Sequence, residues 1–228
     1  MKMTHRSSVL AGLYRLPLST YGSLLLALLV AGFILTGCVT TQTESDRRKI
    51  PFTFTDLVPL TPQPDVASIQ GGLRVWYFPD FKYEHVGEMP KGDPPYSWGF
   101  AGKKPILIID RKFEPQEKVF DSGQHRRVAL QMDGMIQFPT SGQYGIMALS
   151  NDGLRVYIGG KRVISDPDWH GDQFSRKNKL EFTESGWYPF KVKYFQRLGT
   201  AALQLFWKKP GDEDFSIIPA EAYGHLPK

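Results

Sequence analysis

The sequence predicts an all-β fold, an antiparallel β-sandwich or barrel of about ten short strands, preceded by a signal helix and an extended linker. Three observations carry this expectation. Short runs of β-branched and aromatic residues recur along the chain. Clusters of Gly, Pro, Asn and Asp separate them, the punctuation expected between strands. Beyond residue 40 no stretch sustains the 3.6-residue periodicity of an amphipathic helix.

The first 37 residues are of another kind. Lys2, Arg6 and Arg15 are basic with no acidic residue among them, and Leu24–Leu35 is uninterruptedly apolar. A cationic start, a short apolar core and small residues before a cut describe a secretory signal. Leu35-Thr36-Gly37-Cys38 resembles the lipobox of bacterial lipoproteins, whose cysteine is acylated and becomes the new N-terminus. The alternative is a single-pass helix over Tyr21–Val39, since no charge occurs between Arg15 and Glu44. Gly22 and Ser23 dilute that window, and the one cysteine of the chain stands at the lipobox position. Residues 38–68 read as a Thr/Pro-rich tether with Pro51, Pro59, Pro62 and Pro64, an extended and semi-rigid composition. Phe52 and Phe54 offer an alternative there, docking on the folded module as an edge strand.

The folded module is expected over 69–224, with 225–228 as a tail. Its strands fall at Leu73–Phe78, Ile106–Ile109, Arg127–Phe138, Tyr144–Leu149, Leu154–Ile158, Tyr188–Phe195 and Ala202–Trp207, with a further run beginning at Val163-Ile164. Gln116–Phe120 reads as a single turn. Leu154, Val156 and Ile158 alternate with Arg155 and Tyr157, the period-2 pattern of a strand with one buried face. Asn151-Asp152-Gly153 before this strand is turn chemistry, and Gly159-Gly160 closes it. Trp76, Tyr77, Tyr144, Trp187, Tyr188, Tyr194 and Trp207 lie in strand runs, where large rings fill a thin core. The single cysteine rules out a disulfide within the module, so its core must supply the stability.

Several segments, in order, resemble the PA14 domain family over roughly residues 69 to 224. They are Gly71-Gly72-Leu73-Arg74-Val75-Trp76-Tyr77-Phe78, Val128–Ile136, Phe138-Pro-Thr-Ser-Gly-Gln-Tyr144, Ser150–Lys161, Ser185–Tyr194, and Leu203–Trp207 with Lys209-Pro210-Gly211. The resemblance implies a β-sandwich that binds ligands through loops at one end, with carbohydrate as the leading ligand class. Calcium-dependent members hold the ion with two consecutive Asp residues joined by a cis peptide, and an Asn in a later loop. The Asp pair falls on Asn151 and Asp152, and the later Asn falls near Gln196. Asn151 keeps an oxygen ligand but removes a formal charge, which weakens a Ca²⁺ site. The alternative is that Asn151 and Asp152 only shape the turn.

Other chemistry has little support in the residues. No Gly-x-Ser-x-Gly, no thiol after Cys38 and no His-Glu-x-x-His occurs, so an enzyme is not expected. Asp166, Asp168 and Asp172 form a second acidic cluster, either ligands for Ca²⁺ or turn residues. Trp169 within it is placed to stack on a sugar ring or to pack half-buried. Asp93-Pro-Pro-Tyr96-Ser-Trp98 adds two aromatics in a polar loop. The formal charge of +5 owes three charges to the leader, so nucleic acid is not expected as a partner. The sequence therefore predicts a lipid-anchored binding module of the bacterial cell envelope. Its expected partners are the membrane, through Cys38, and a glycan or envelope polysaccharide. The alternative is a protein-interaction or architectural module that contacts another envelope protein. Val39 after the acylated cysteine favours the outer membrane where the cell has one.

Overall fold

A computed structural model describes residues 50–227. The leader 1–37, Cys38 and the alternative span Tyr21–Val39 lie outside the described residues. In chain order the strands are β1 (Thr53–Phe54), β2 (Gln70–Gly71), β3 (Arg74–Phe78), β4 (Phe100–Ala101), β5 (Asp110–Phe113), β6 (Val128–Phe138), β7 (Gly142–Asn151) and β8 (Leu154–Ile158). They continue as β9 (Lys161–Asp166), β10 (Gln173–Phe174), β11 (Asn178–Phe182), β12 (Gly186–Gln196), β13 (Ala201–Lys208), β14 (Ser216–Ile217) and β15 (Tyr223–His225). Five of these are two-residue pairings. The helical elements among the described residues are three single 3₁₀ turns, at Val66–Ser68, Val86–Glu88 and Ala220–Ala222.

Two sheets face each other. The smaller has the order β1-β11-β7-β13-β14, with β10 also on β7 and β5 also on β13. The larger has the order β2-β15-β6-β12-β8-β9, with β3 pairing both β6 and β4. Every pairing is antiparallel except β1 on β11. The period-2 alternation decides what each strand buries. On β8, Leu154, Val156 and Ile158 are buried while Arg155 and Tyr157 are half-buried on the outer face. Leu130, Met132, Phe190 and Val192 meet Ile146, Ala148, Leu180 and Leu205 of the other sheet in one continuous core.

The two ends of the sandwich differ in chemistry. At one end Phe138, Tyr144, Phe182 and Tyr188 form a ring cluster, Phe138 stacked on Phe182 at 3.8 Å and edge-on to Tyr144 at 5.0 Å. Such pairs add about 0.5–1.5 kcal/mol each beyond their burial. At the other end β7 finishes on Ser150 and Asn151 and β12 on Gln196, and all three are buried. Strands running from the aromatic end thus deliver polar groups to the opposite one.

Local chemistry explains the connections. Gly159 and Gly160 have φ of 55° and 82°, and Ile158 pairs with Lys161, so they form the two-residue turn of the β8–β9 hairpin. The Asn151-Asp152-Gly153 turn does something else, carrying the chain from β7 in one sheet to β8 in the other. Gly153 is needed there for space: a Cβ would lie 2.6 Å from the Pro167 carbonyl oxygen and 2.7 Å from that of Asp168.

From residue 50 onward, the segment read as a tether lies along the sandwich. The edge-strand alternative for Phe52 and Phe54 describes it: Phe54 pairs with Leu180, the Phe52 N–H donates to Asn178 Oδ1, and Leu57 enters the core. Gln63 then accepts the Trp187 N–H at 2.7 Å. At the other terminus His225, placed in the tail by sequence, is the last residue of β15, and its Nδ1 meets the Gly72 carbonyl at 2.9 Å. Of the aromatics expected in the core, Trp76 instead points to the outer face. It packs there against a second cluster of Phe78, Phe81, Val86, Met89, Ala129 and Phe195 beneath the 79–101 loop.

Candidate functional site

The polar end is built from three segments: the β7–β8 turn, the loop 166–172 after β9, and the loop 197–200 after β12. Asp152 is fully buried and ties them together. Its Oδ2 accepts the Arg197 N–H at 2.6 Å and its Oδ1 accepts the His170 N–H at 3.3 Å. Burial pushes the Asp152 carboxyl up to about 6, against the two N–H groups, which favour the charged form. The Asn151–Asp152 peptide is cis.

Asn151 is 6% exposed. Its Nδ2 donates to Asp172 Oδ1 at 3.0 Å and to Thr200 Oγ1 at 3.2 Å, and its carbonyl accepts the buried Tyr194 hydroxyl. Gln196 is fully buried beside it, with Nε2 donating to the carbonyls of Thr200 at 2.9 Å and Gly199 at 3.2 Å. Among the described residues its Oε1 has no hydrogen-bond partner. An orphaned buried acceptor costs about 1–3 kcal/mol, so Gln196 Oε1 is a local cost to stability at this end.

The second acidic cluster adjoins the first. Asp172 bridges Asn151 and Lys112, whose Nζ is 3.2 Å from its Oδ2. Burial raises the Asp172 carboxyl, but hydrogen bonds from Asn151 and Lys112 and the Lys112 charge outweigh it and hold the group below the ordinary carboxylate value. Asp166 accepts from Gln173 Nε2 at 3.1 and 3.3 Å and lies 3.5 Å from His170 Nε2. Asp168 is turned outward and pairs its backbone with His85 of the 79–101 loop. Trp169 is 52% exposed, with the Arg197 guanidinium over its ring at 4.8 Å, and Arg197 in turn pairs with Glu84 at 2.6 Å.

The seven ligand or metal candidates expected from sequence gather at this end, in two tiers; Cys38, the expected lipidation residue, lies outside the described residues. Asn151, Asp152, Asp172 and Gln196 form a hydrogen-bonded centre, with Asp166 flanking it. Asp168 and Trp169 form an exposed rim. Sequence reasoning missed Lys112, His170, Arg197 and Thr200. Each is an ordinary loop or edge residue whose part depends on contacts many positions away, and no local pattern marks it.

The donor set falls short of a calcium cage. Both Asp152 oxygens already receive backbone N–H groups, and Asn151 turns an NH₂ toward Asp172. Among the described residues no group of three His, Cys, Asp or Glu side chains is disposed to hold a metal ion. Ca²⁺ takes six to eight oxygens and depends on ligand charge. The residues fit hydrogen bonding to a polar ligand instead.

Comparison with known proteins places the fold. No curated protein sequence matches the chain. Among solved structures it is similar to an anti-sigma factor domain-containing protein from Clostridium clariflavum, with 18% identity, 70% of this chain and 48% of that one covered, and a TM-score of 0.53. The chain spans about half the length of the anti-sigma factor domain-containing proteins it matches. It is also similar to the PA14 domain of the antifreeze protein MpAFP, with 13% identity, 72% and 95% covered, and a TM-score of 0.57. A third similar structure is the epithelial adhesin 9 A domain from Candida glabrata, in complex with Galβ1-4GlcNAc. It shows 13% identity, 74% and 95% coverage, and a TM-score of 0.51. The likeness in fold to a PA14 domain agrees with the sequence match: residues 116–221 of this chain match the model of the PA14 domain family.

Proposed function

We propose that this protein is a carbohydrate-binding module and that it takes neutral glycans at the polar end of the sandwich. The observation that carries the reading is the exposed Trp169, held by Arg197 at the end where the carboxylates of Asp168 and Asp172 also reach solvent. A sugar supplies what this arrangement lacks. Its hydroxyls donate to carboxylates such as those of Asp168 and Asp172, and the apolar face of its ring covers an aromatic one. The similar structure of the epithelial adhesin 9 A domain, in complex with a galactose-containing disaccharide, supports the same ligand class. Binding on this reading needs no cation, because the amide of Asn151 occupies the place of a charged ligand.

The lipobox-like Leu35-Thr36-Gly37-Cys38 supports a second part of the proposal, that acylation of Cys38 tethers the module to a bacterial membrane outside the cytoplasm. A glycan array probed with the full chain, with Ca²⁺ and then with a chelator, tests the first part. The expected result is binding to neutral glycans in both conditions. A silent array overturns the reading, and binding confined to Ca²⁺ overturns its cation-free form. Mass spectrometry of the mature N-terminus tests the second part, with unmodified Cys38 as the adverse result.

A further inference from the structure

The outer face of the larger sheet carries a groove of about 1020 Å³, at the upper end of the roughly 300–1,000 Å³ common for ligand sites. The alternation that sends Phe190 and Val192 into the core turns Lys191 and Lys193 outward. Register sets Arg74 opposite Asp133, Asp133 opposite Lys191, and Lys191 opposite Tyr157, so one row of side chains crosses four adjacent strands. The turn at Gly92-Asp93-Pro94 and the segment Ala101–Pro105, with Lys103 and Lys104, form the walls.

The charges in this groove do not balance one another. Its two carboxylates, Asp93 and Asp133, both pair with Lys191. Arg74 and Lys193 donate instead to the carbonyls of Leu226 and Pro90, and Lys103 and Lys104 are exposed. Among the described residues none of these four cations pairs with a carboxylate. Lys193 also stands directly opposite Arg155 across the β12–β8 pair, an arrangement of like charges that costs stability. Burial, and then the Lys191 charge, lower the Lys193 ammonium below its ordinary value. A bound anion relieves each of these penalties.

We propose that this groove binds an acidic oligosaccharide, with its anionic groups on Arg74, Lys103, Lys104 and Lys193 and a sugar ring laid on Tyr157. The shape selects among anions. Lys191 and Lys193 sit below the rim, where a flat bilayer does not reach. The floor strands β3, β6, β12 and β8 have both edges paired, so an acidic peptide finds no strand to extend. Single-stranded nucleic acid needs successive aromatic platforms, and the floor offers Tyr157 alone beside the half-buried Trp76. The groove goes beyond the loop-end reading, since Lys191 lies four residues, about 13 Å, along β12 from Phe195 and on the outer face.

The test is calorimetric titration of the full chain with a galacturonic acid oligomer and with its neutral methyl ester, at about 50 and about 500 mM salt. The acid is expected to bind, and to bind at least about tenfold more weakly at high salt. The ester is expected to lose a similar factor, as is the double variant Lys103→Glu/Lys104→Glu. Those two lysines make no hydrogen bond among the described residues, and Arg74→Gln is a second variant should the first fail to fold. No binding, equal binding of the ester, or indifference to both variants overturns the proposal. So does equal binding of poly-glutamate, of an oligonucleotide or of phosphatidylglycerol vesicles. Neutral glycan binding is scored on the same wild-type sample, so either site can fail alone.

Discussion

Replacing Asp152 with Asn keeps the shape of a buried side chain and removes its titration. Burial raises the Asp152 carboxyl from 3.8 to about 6 in the folded protein. Between those values the folded chain holds a proton that the unfolded chain has released. Stability must then fall as pH rises through this window and level off above it. At about 1.36 kcal/mol per pH unit the loss is at most about 3 kcal/mol. The pH profile of wild type alone does not isolate this loss, because Asp133 is also raised by burial and Asp172 is lowered. Those groups are common to both proteins and cancel in the difference. The stability of wild type minus that of Asp152→Asn should therefore decline by up to about 3 kcal/mol from pH 4 to pH 7. For a domain of this size that is roughly 6–12 °C of melting temperature. Urea or thermal unfolding at several pH values, with a chelator present, measures it. A difference that stays flat refutes the burial argument, and one that rises with pH shows that Asp152 is stabilised as an anion.

Three other substitutions test the metal preference of the turn, its packing, and the docking of the N-terminal segment. Asn151→Asp sets a carboxylate against Asp172 in place of the present 3.0 Å hydrogen bond, so metal-free stability should drop by about 1–3 kcal/mol. Millimolar Ca²⁺ should then raise the melting temperature of that variant more than it raises wild type, which calorimetry reads directly. Gly153→Ala drives a Cβ against two backbone carbonyls of the 166–172 loop. It should cost about 1–3 kcal/mol and speed amide exchange at His170. Leu57→Ala should destabilise the sandwich by about 2–5 kcal/mol, because Leu57 is in the core. A residue in a free tether would show no change in the same unfolding curve.

The strands with one apolar face were readable because burial repeats every second residue. β8, β12 and β13 lie close to where the alternation put them. β5 was displaced, since its Asp110-Arg111-Lys112 run carries the charges that an outer strand presents to water and so hides the strand signal. β7 runs two residues beyond the apolar stretch, through Ser150 and Asn151, because the polar end buries them in place of hydrophobic residues. β11 begins on a buried Asn178, whose Nδ2 donates to the Val163 carbonyl at 2.7 Å and whose Oδ1 fixes Phe52. The candidate site was legible as a set of positions, and its internal wiring was not. Nothing near Asp152 in sequence says that its carboxylate is held by N–H groups 18 and 45 residues away.

On the proposed function, the loop end binds sugar through hydrogen-bonding groups and an aromatic rim. Trp169 gives the cleanest access to it, because its ring is exposed and its removal leaves the core untouched. A neutral glycan selected on the array is titrated against wild type and Trp169→Ala in the presence of a chelator. Wild type is expected to bind and the variant to bind about tenfold more weakly, near 1.4 kcal/mol, with an unchanged melting temperature. Equal affinity of the two proteins for the glycan contradicts it.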